Sequence, residues 1–433
     1  MRQWRTSFVF SFIVMLILSL TLIIRADDDV PPPVSPIDSD ASITNILLIG
    51  SATEYDSNPG LTDTLMIASI NTDTRHVALL SIPRDLYVYV PEYGMYKINQ
   101  AYYLAERREA GTGIETLRAT ITHNLGITID FYGRVNFASF ADLIDAVGGI
   151  DMTVDCSIED WRLIEPDLDK TVAENWEMFT LWSGLHHMDG DTALWYVRSR
   201  RTSNDLDRNR RQQDVLRALW RRIRSDGLLN NFPQLWEQFN QIVETDMTLP
   251  DALSFLPTAV DLDAAAVEYY TFRINEHVTQ GYTDDDAQRF ILTPIREAVT
   301  ELIAQVVTPA TRSRLRTNPP TVAIYNGSDV PGLDYIAAHR LEREGFRTII
   351  TGEAASPRNY NLIVDHIGSS RNNPVDVIQD VLRITEQGVQ TDPDPQRTYD
   401  YELYIGGQYQ YFSCTYPVDQ PIRTDETATD TSQ

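Results

Sequence analysis

Cysteine is nearly absent from the 433 residues: Cys156 and Cys414 are the only two. Two thiols cannot build a disulfide scaffold or a four-thiolate zinc site. Lysine is as scarce, with Lys97 and Lys170 standing against 34 arginines. Arginine grips phosphate bidentately where lysine offers a point charge. Positive charge as a whole is outnumbered: 36 Lys and Arg face 62 Asp and Glu, for a formal net charge of −26. Phosphate repels such a chain, so it makes a poor general binder of nucleic acid. No G-x-S-x-G stretch occurs, which removes the nucleophile-elbow hydrolases. With 23 % charged and 42 % hydrophobic residues the composition is globular, which excludes global disorder and collagen-like repeats. The length corresponds to about three domain-sized units.

One long apolar run is present. Thr6–Ile24 is 19 residues without a charge, roughly 28 Å as a helix and about one hydrocarbon core. Arg2 and Arg5 precede it; Arg25 and then Asp27, Asp28 and Asp29 follow. The bias of Arg toward the leading side predicts a cytoplasmic N-terminus, with everything after the span outside. Ile24-Arg25-Ala26 is not an A-x-A-like cleavage site, so the segment reads as an uncleaved signal-anchor. No cysteine stands directly after it to carry a lipid. Val30–Ser42 is Pro-rich and reads as a semi-rigid spacer.

From Asn45 onward short apolar runs alternate with helical periodicities. Ile46–Ile49, Leu65–Ile70 and His76–Ser81 read as strands, the last two joined by the turn-like Asn71-Thr72-Asp73-Thr74. Ile114, Leu117, Ile121 and Leu125 recur at helical spacing. Tyr132–Asn136 reads as a strand, and Phe137–Val147 as an amphipathic helix stopped by Gly148-Gly149. Asp151–Asp155 is strand-like; Gly190–Arg198 and Asp207–Arg224 are helical. This alternation predicts an α/β domain. Residues 226–317 read as mostly helical, with pieces at Phe232–Val243, Leu249–Val260 and Ala287–Val307. Asn318-Pro319-Pro320 marks a boundary. A small α/β unit follows, with strands at Val322–Tyr325, Arg347–Thr351, Tyr360–His366 and Tyr399–Ile405. Its helices are Leu333–Glu344 and Val375–Ile384, the second with Asn373 as N-cap and Pro374 as first helical residue. The organisation expected is therefore an N-terminus and transmembrane anchor over 1–25 and a linker over 26–43. A first domain spans 44–317, with a core at 45–217 and a helical completion at 218–317. A C-terminal unit spans 321–412, and a disordered acidic tail 413–433.

Four segments carry residues suited to chemistry. In Gly60-Leu61-Thr62-Asp63-Thr64 a carboxylate precedes a strand, where it can hold a divalent cation and leave positions for phosphate. A turn or cap role is the alternative. In Ser81-Ile82-Pro83-Arg84-Asp85 proline ends the strand, Arg84 projects from its end and Asp85 stands ready to orient it. The alternative is a surface salt bridge. Lys97-Ile98-Asn99-Gln100-Ala101-Tyr102 holds one of the two lysines. The fourth segment is YVRSRRTSNDLDRNRRQQ at 196–213; between Arg198 and Arg224 there are ten arginines and three acidic residues. Arg208 and Arg211 share a helix face, and Gln212 joins Arg208 four residues on. Several converging guanidinium forks suit a diphosphate; a basic helix gripping anionic lipid or an acidic partner is the alternative. The apolar segment Phe131–Val147, with Phe137, Phe140 and Leu143, reads as core or as the wall of a lipid-tail channel. His186-His187 are neighbours whose side chains do not point together on regular structure, and the pair reads as structural.

Together these segments resemble the LytR–CpsA–Psr family. TDTLMIASINTDTRHVALLSIPRDLYV, KINQAY, FYGRVNFASFADLIDAVGGIDM, GDTALWYVRSR and DLDRNRRQQ stand in the family's order and spacing over roughly residues 45–217. VAIYNGSDVPGLDYIAAHRLEREGF opens a unit similar to the C-terminal domain often appended to such proteins. The resemblance implies a mixed sheet flanked by helices in a membrane-anchored phosphotransferase of the cell envelope. A glycopolymer's sugar-1-phosphate passes from a polyprenyl diphosphate carrier of the undecaprenyl type to a muramyl hydroxyl of peptidoglycan, and polyprenyl monophosphate leaves. It implies Mg2+ or another divalent cation and the cytoplasmic membrane as a partner, while the net charge and the expected topology argue for no nucleic acid. Asp63 falls on the metal-binding aspartate and Arg84 on the arginine of the SIPRD-like segment. Arg198, Arg200, Arg208 and Gln212 fall on diphosphate-contacting positions, and Asp85 and Lys97 on recurrent motif positions. The expected catalytic set is Arg84, Asp85, Arg198, Arg200 and Arg208. The expected substrate-binding set is Lys97, Arg208, Arg211, Gln212, Phe137, Phe140 and Leu143, and the expected metal set is Asp63, Glu54 and Asp56. Arginine cannot accept the proton of an acceptor hydroxyl, so a carboxylate, Asp85 or one of the 54–56 loop, takes that part. The chain departs from the pattern at Ala52, where an aspartate is usual, and at Leu61, where an arginine is frequent. These departures motivate the alternative of a non-catalytic or pyrophosphatase-like polyprenyl-phosphate-binding envelope protein. A transcriptional regulator fits neither the expected topology nor the charge. The C-terminal unit is expected to bind protein or wall.

Overall fold

The computed structural model describes residues 30–37, 42–53, 59–202, 205–262, 266–308, 318–368 and 373–409. The apolar run Thr6–Ile24, Glu54, Asp56, Cys414 and the tail 413–433 lie outside the described residues. No described helix is long and apolar enough to cross a membrane. The Pro-rich segment does not hang free where it is described. Val34 N–H donates to His123 O at 2.8 Å and Ile37 N–H to Gly126 O at 2.9 Å.

The chain opens with an antiparallel meander of β1 (Ile43–Ser51), β2 (Thr62–Asn71) and β3 (His76–Ile82). The hairpin β4 (Tyr87–Val90) and β5 (Gly94–Lys97) and helices α1 (Ala101–Arg108) and α2 (Gly113–Leu125) follow. They return the chain to β6 (Phe131–Val135), parallel to β1. Next come α3 (Phe137–Ala146), β7 (Ile150–Val154), the hairpin β8 (Ile158–Leu163) and β9 (Trp176–Leu181), β10 (Gly184–Met188), α4 (Gly190–Arg198) and α5 (Asp205–Ser225). The region read as mostly helical holds α6 (Phe232–Ile242), β11 (Glu244–Thr245) and α7 (Leu249–Asp261). It also holds β12 (Val267–Thr271), the hairpin β13 (Val278–Tyr282) and β14 (Phe290–Pro294), and α8 (Arg296–Val307). The helical reading of Ala287–Val307 therefore fails over its first nine residues, 287–295. β12 is an edge strand of the main sheet, whose order is β11-β6-β1-β2-β3-β12.

The burial of β1 explains the layers. Its odd positions Leu47 and Ile49 are sealed in a core with Leu117, Ile121 and Leu125 of α2 and Leu302 and Ile303 of α8. Its even positions, Ile46 and Leu48, point the other way, toward Leu216 and Trp220 of α5. A strand apolar on both faces belongs to a sheet covered on both sides. The second cover is a layer of α3, α4 and α5 with its own core of Leu143, Ile144, Ala193, Val197 and Leu219. Gly190 lets α3 and α4 close up: a Cβ there would stand 2.3 Å from Ala141 O.

The C-terminal unit is β15 (Thr321–Asn326), α9 (Leu333–Glu344), β16 (Arg347–Glu353), β17 (Leu362–Asp365), α10 (Val375–Leu382), β18 (Val389–Thr391) and β19 (Tyr401–Ile405). Its five strands run in the order β16-β15-β19-β17-β18 over a core of Phe346, Ile363 and Tyr401. Gly345 ends α9 at a φ of 100°, which favours glycine. Pro374, not Asn373, is the N-cap of α10, while the Asn373 side chain accepts from Val375 N–H at 3.0 Å.

Candidate functional site

Three strand ends and one strand start meet on the same edge of the main sheet. β1 ends at Ser51, β3 at Ile82 and β6 at Val135, while antiparallel β2 begins at Thr62. The register sets Gly50 opposite both Thr64 and Val135, and Leu65 opposite Ile82. Asp63, Arg84 and Asn136 thus come together from positions up to 73 residues apart, because of pairing alone. Asn136 caps α3, accepting from Ser139 N–H at 2.9 Å, so the chain turns sharply and sets Phe137 at the edge.

A chain of alternating charges runs along this edge. Lys97 Nζ donates to Asp85 Oδ1 at 2.7 Å, and Arg84 Nε lies 3.6 Å from Asp85 Oδ2. Arg84 Nη1 donates to Asp63 Oδ1 at 3.1 Å, and Arg200 Nη2 lies 3.8 Å from Asp63 Oδ2. Arg198 places its guanidinium carbon 3.9 Å from the centre of the Phe137 ring. Burial lowers its pKa, with Arg200 adding and Asp63 opposing; an arginine remains cationic regardless.

Behind this edge lies a cavity of about 800 Å3. Its floor is Leu48 and Met66 of the sheet; its roof is Phe140, Leu143 and Ile144 of α3, Leu194 and Val197 of α4, and Leu216 and Leu219 of α5. Trp161 and Trp176 of the β8–β9 hairpin form one side. Its polar lining includes Asp63, Asp160, Arg162, Lys170, Asp191, Arg198, Arg200, Arg208 and Gln212. Arg208 is 3 % exposed, so its charge is directed into the protein. A largely apolar chamber whose wall also carries several arginines matches a ligand with a greasy tail and an anionic head.

Of the expected residues, Asp63, Arg198, Arg200, Arg208, Gln212, Phe137, Phe140 and Leu143 line this one cavity. Arg84, Asp85 and Lys97 stand behind Asp63, linked to it by the ion pairs above rather than lining the wall. Arg211 does not join the array. It is buried, donates to Tyr196 O and, at 2.5 Å, to Ser199 O, and lies over the Tyr196 ring. Its part is to hold the turn that carries Arg200. Asp160 holds the same turn from the other side, accepting from Arg200 N–H at 2.8 Å. Sequence reasoning missed Asp160, and also Lys170, which lines the cavity. Burial and the neighbouring Arg198 lower the Lys170 pKa. Its rarity as one of two lysines was the available signal. His186 bonds Trp182 O and His187 bonds Asp151, each at 2.7 Å, as structural residues do. Among the described residues no three His, Cys, Asp or Glu side chains cluster as a metal site.

The profile of the LytR_cpsA_psr family matches residues 25–293, and that of the LytR cell envelope-related transcriptional attenuator matches residues 320–409. Polyisoprenyl-teichoic acid–peptidoglycan teichoic acid transferase TagT of Bacillus subtilis is 27 % identical over 231 residues, 50 % of this chain and 66 % of TagT. TagU of Oceanobacillus iheyensis, of the same name, is 31 % identical over 235 residues, 54 % of this chain and 68 % of TagU. The probable cell wall biosynthesis protein LcpB of Corynebacterium glutamicum is 35 % identical over 203 residues, 43 % of this chain and 44 % of LcpB. The chain thus spans between 44 % and 68 % of the length of these relatives. The crystal structure of B. subtilis TagV shares the fold, with a TM-score of 0.50 at 22 % identity, covering 62 % of this chain and 96 % of TagV. With the family profile covering well over half of its residues, the chain belongs to the LytR–CpsA–Psr family and carries a LytR-type C-terminal domain.

Proposed function

We propose that the protein is a phosphotransferase that moves a glycopolymer from a polyprenyl diphosphate carrier to peptidoglycan. The observation that supports the reading is that Arg198, Arg200, Arg208 and Gln212 all line one largely apolar cavity. The isoprenoid tail occupies the cavity and the diphosphate faces the guanidinium groups. A muramyl hydroxyl attacks the phosphorus that bears the sugar, and the bond from that phosphorus to the bridging oxygen breaks. The leaving oxygen stays with the polyprenyl monophosphate, and the hydroxyl proton passes to a base or to water. Such transfers depend on positioning and charge neutralisation, which converging arginines supply. Arg84 and Arg200 flank Asp63, and Lys97 and Asp85 brace Arg84 from behind. Asp85 is therefore a positioning residue in this reading.

Asp63 would hold a divalent cation. Its hard carboxylate fits an ion of the magnesium kind, which characteristically takes one or two carboxylates and completes its shell with phosphate and water. When bound, the ion neutralises diphosphate charge. The span Thr6–Ile24 would anchor the chain in the membrane, with the folded domains outside, where carrier and acceptor both reside.

A second reading rests on Ala52, which lines the cavity beside Asp63 and brings no ligand: a protein that binds the carrier without turning it over. Incubating the full chain with a polyprenyl diphosphate-linked glycan and peptidoglycan separates the two. Release of polyprenyl monophosphate with the glycan attached to peptidoglycan supports transfer. Binding with neither product supports the second reading, and monophosphate release without attachment indicates hydrolysis.

A further inference from the structure

Helix α5 has two working faces. Arg208, Gln212, Val215 and Leu219 line the cavity. Asp214, Arg217 and Arg221 lie on the far side: at roughly 100° per residue, Arg217 is about 180° around the helix from Arg208. Helix α9 of the C-terminal unit covers that far side. Glu342 is ion-paired to Arg217, lies 3.6 Å from Arg221 and accepts from Thr348 Oγ1 at 2.6 Å. Asp214 is ion-paired to Arg343 and lies 3.3 Å from His339 Nε2. The other ring nitrogen of His339 is 3.1 Å from Asp155, just after β7, and Arg340 Nε is 3.4 Å from the same carboxylate. The Arg217 side chain is 1 % exposed and those of His339 and Asp214 are each 5 % exposed.

Burial would raise the pKa of Asp155 and Asp214, but Arg340, Arg343 and His339 outweigh it and hold both below the usual carboxylate range. Burial likewise opposes charge on His339, and the two aspartates outweigh it and raise its pKa. The cluster is therefore charged and desolvated at once. Apolar helix packing tolerates small slides and rotations. Desolvated ion pairs do not, because another register leaves a buried charge without its partner. Fixing register is the best-attested use of such pairs. A loosely tethered wall-binding module has no need of one.

We propose that the C-terminal domain is a positioning element for the phosphate site, with Glu342, His339 and Arg343 fixing the rotation and height of α5 and thereby the aim of Arg208 and Gln212. The inference rests on the diphosphate reading of that site. Asp214 follows Gln212 by two residues, about 3 Å along the axis, so little compliance separates clamp from ligand face.

The test uses the full chain in detergent micelles and two probes, a polyprenyl diphosphate and the matching polyprenol. Glu342→Ala with Arg343→Ala should weaken diphosphate binding about tenfold, the scale of an ordinary coupling between sites, and leave polyprenol binding within about twofold. The reciprocal pair Arg217→Glu with Glu342→Arg should restore part of the loss. Equal weakening of both probes, or no weakening, would overturn the inference. If the variants do not fold, hydrogen exchange on the unaltered chain decides. Linkage requires that diphosphate binding raise amide protection across residues 333–344, and unchanged protection there overturns the proposal. Failure of the unaltered chain to bind the diphosphate would strike the underlying reading, and is told apart by that control.

Discussion

Arg208→Ala is the sharpest single perturbation of the site. Arg208 is 3 % exposed and lines the cavity beside Gln212. A guanidinium in so dry a wall acts on a diphosphate with little screening. Charge-assisted hydrogen bonds are roughly twice as strong as neutral ones, and losing one transition-state donor costs about 3 kcal/mol. That converts to about a 150-fold loss in kcat/KM. Arg208→Lys keeps the charge and loses the fork, so it should recover part of that loss. The control is Arg201→Ala. Arg201 is 48 % exposed, pairs with Glu159 at 2.8 Å and stands outside the cavity wall, so its loss should change the rate less than about twofold. The assay is release of polyprenyl monophosphate, with thermal unfolding to confirm that each variant is folded. Full activity in a folded Arg208→Ala protein, or an equal loss in Arg201→Ala, would refute the reasoning.

Leu48→Trp fills the cavity from the sheet side and should raise KM for long-chain carriers far more than for short-chain analogues; equal effects would place the tail elsewhere. Gly190→Ala brings a methyl group to 2.3 Å from Ala141 O, and the forced separation of α3 and α4 should cost about 1–3 kcal/mol, seen as a lower Tm. Docking of α9 should depend on pH. The raised pKa of His339 contributes stability in full below the ordinary histidine value near 6.5, lost as pH rises through the folded value. The lowered pKa values of Asp155 and Asp214 contribute above their ordinary value near 4, lost as pH falls through the folded values. Calorimetry should therefore show Tm highest between about pH 4 and 6.5 and falling above that, with a shallower fall in His339→Asn. Chelating divalent cations should slow turnover and spare polyprenol binding; unchanged turnover would remove the ion from Asp63.

The elements around the site were legible because local signals agreed. Pro83 ends β3 where Arg84 must project, and the amphipathic pattern of Phe137–Val147, stopped by Gly148-Gly149, marks α3. That Asp63, Arg84 and Asn136 share one sheet edge was not legible, since it depends on β6 returning parallel to β1. The misreading of residues 266–294 has a plain cause. Val267–Thr271 is a short edge strand that joins β3 from 185 or more residues away, and no local pattern announces such a partner. Arg211 shows the limit of face arguments on a helix. It stands three residues from Arg208, yet the carbonyls of Tyr196 and Ser199 capture it. The cluster of Asp155, Asp214 and His339 left no trace in the sequence. Its members belong to different domains and meet only on docking.

A structure of the full chain with a polyprenyl diphosphate tests the central claim most directly. The account predicts the isoprenoid among Leu48, Phe140 and Leu219, and phosphate oxygens within hydrogen-bond reach of Arg200 and Arg208. A lipid held outside the cavity, or a diphosphate that leaves both arginines untouched, would contradict it.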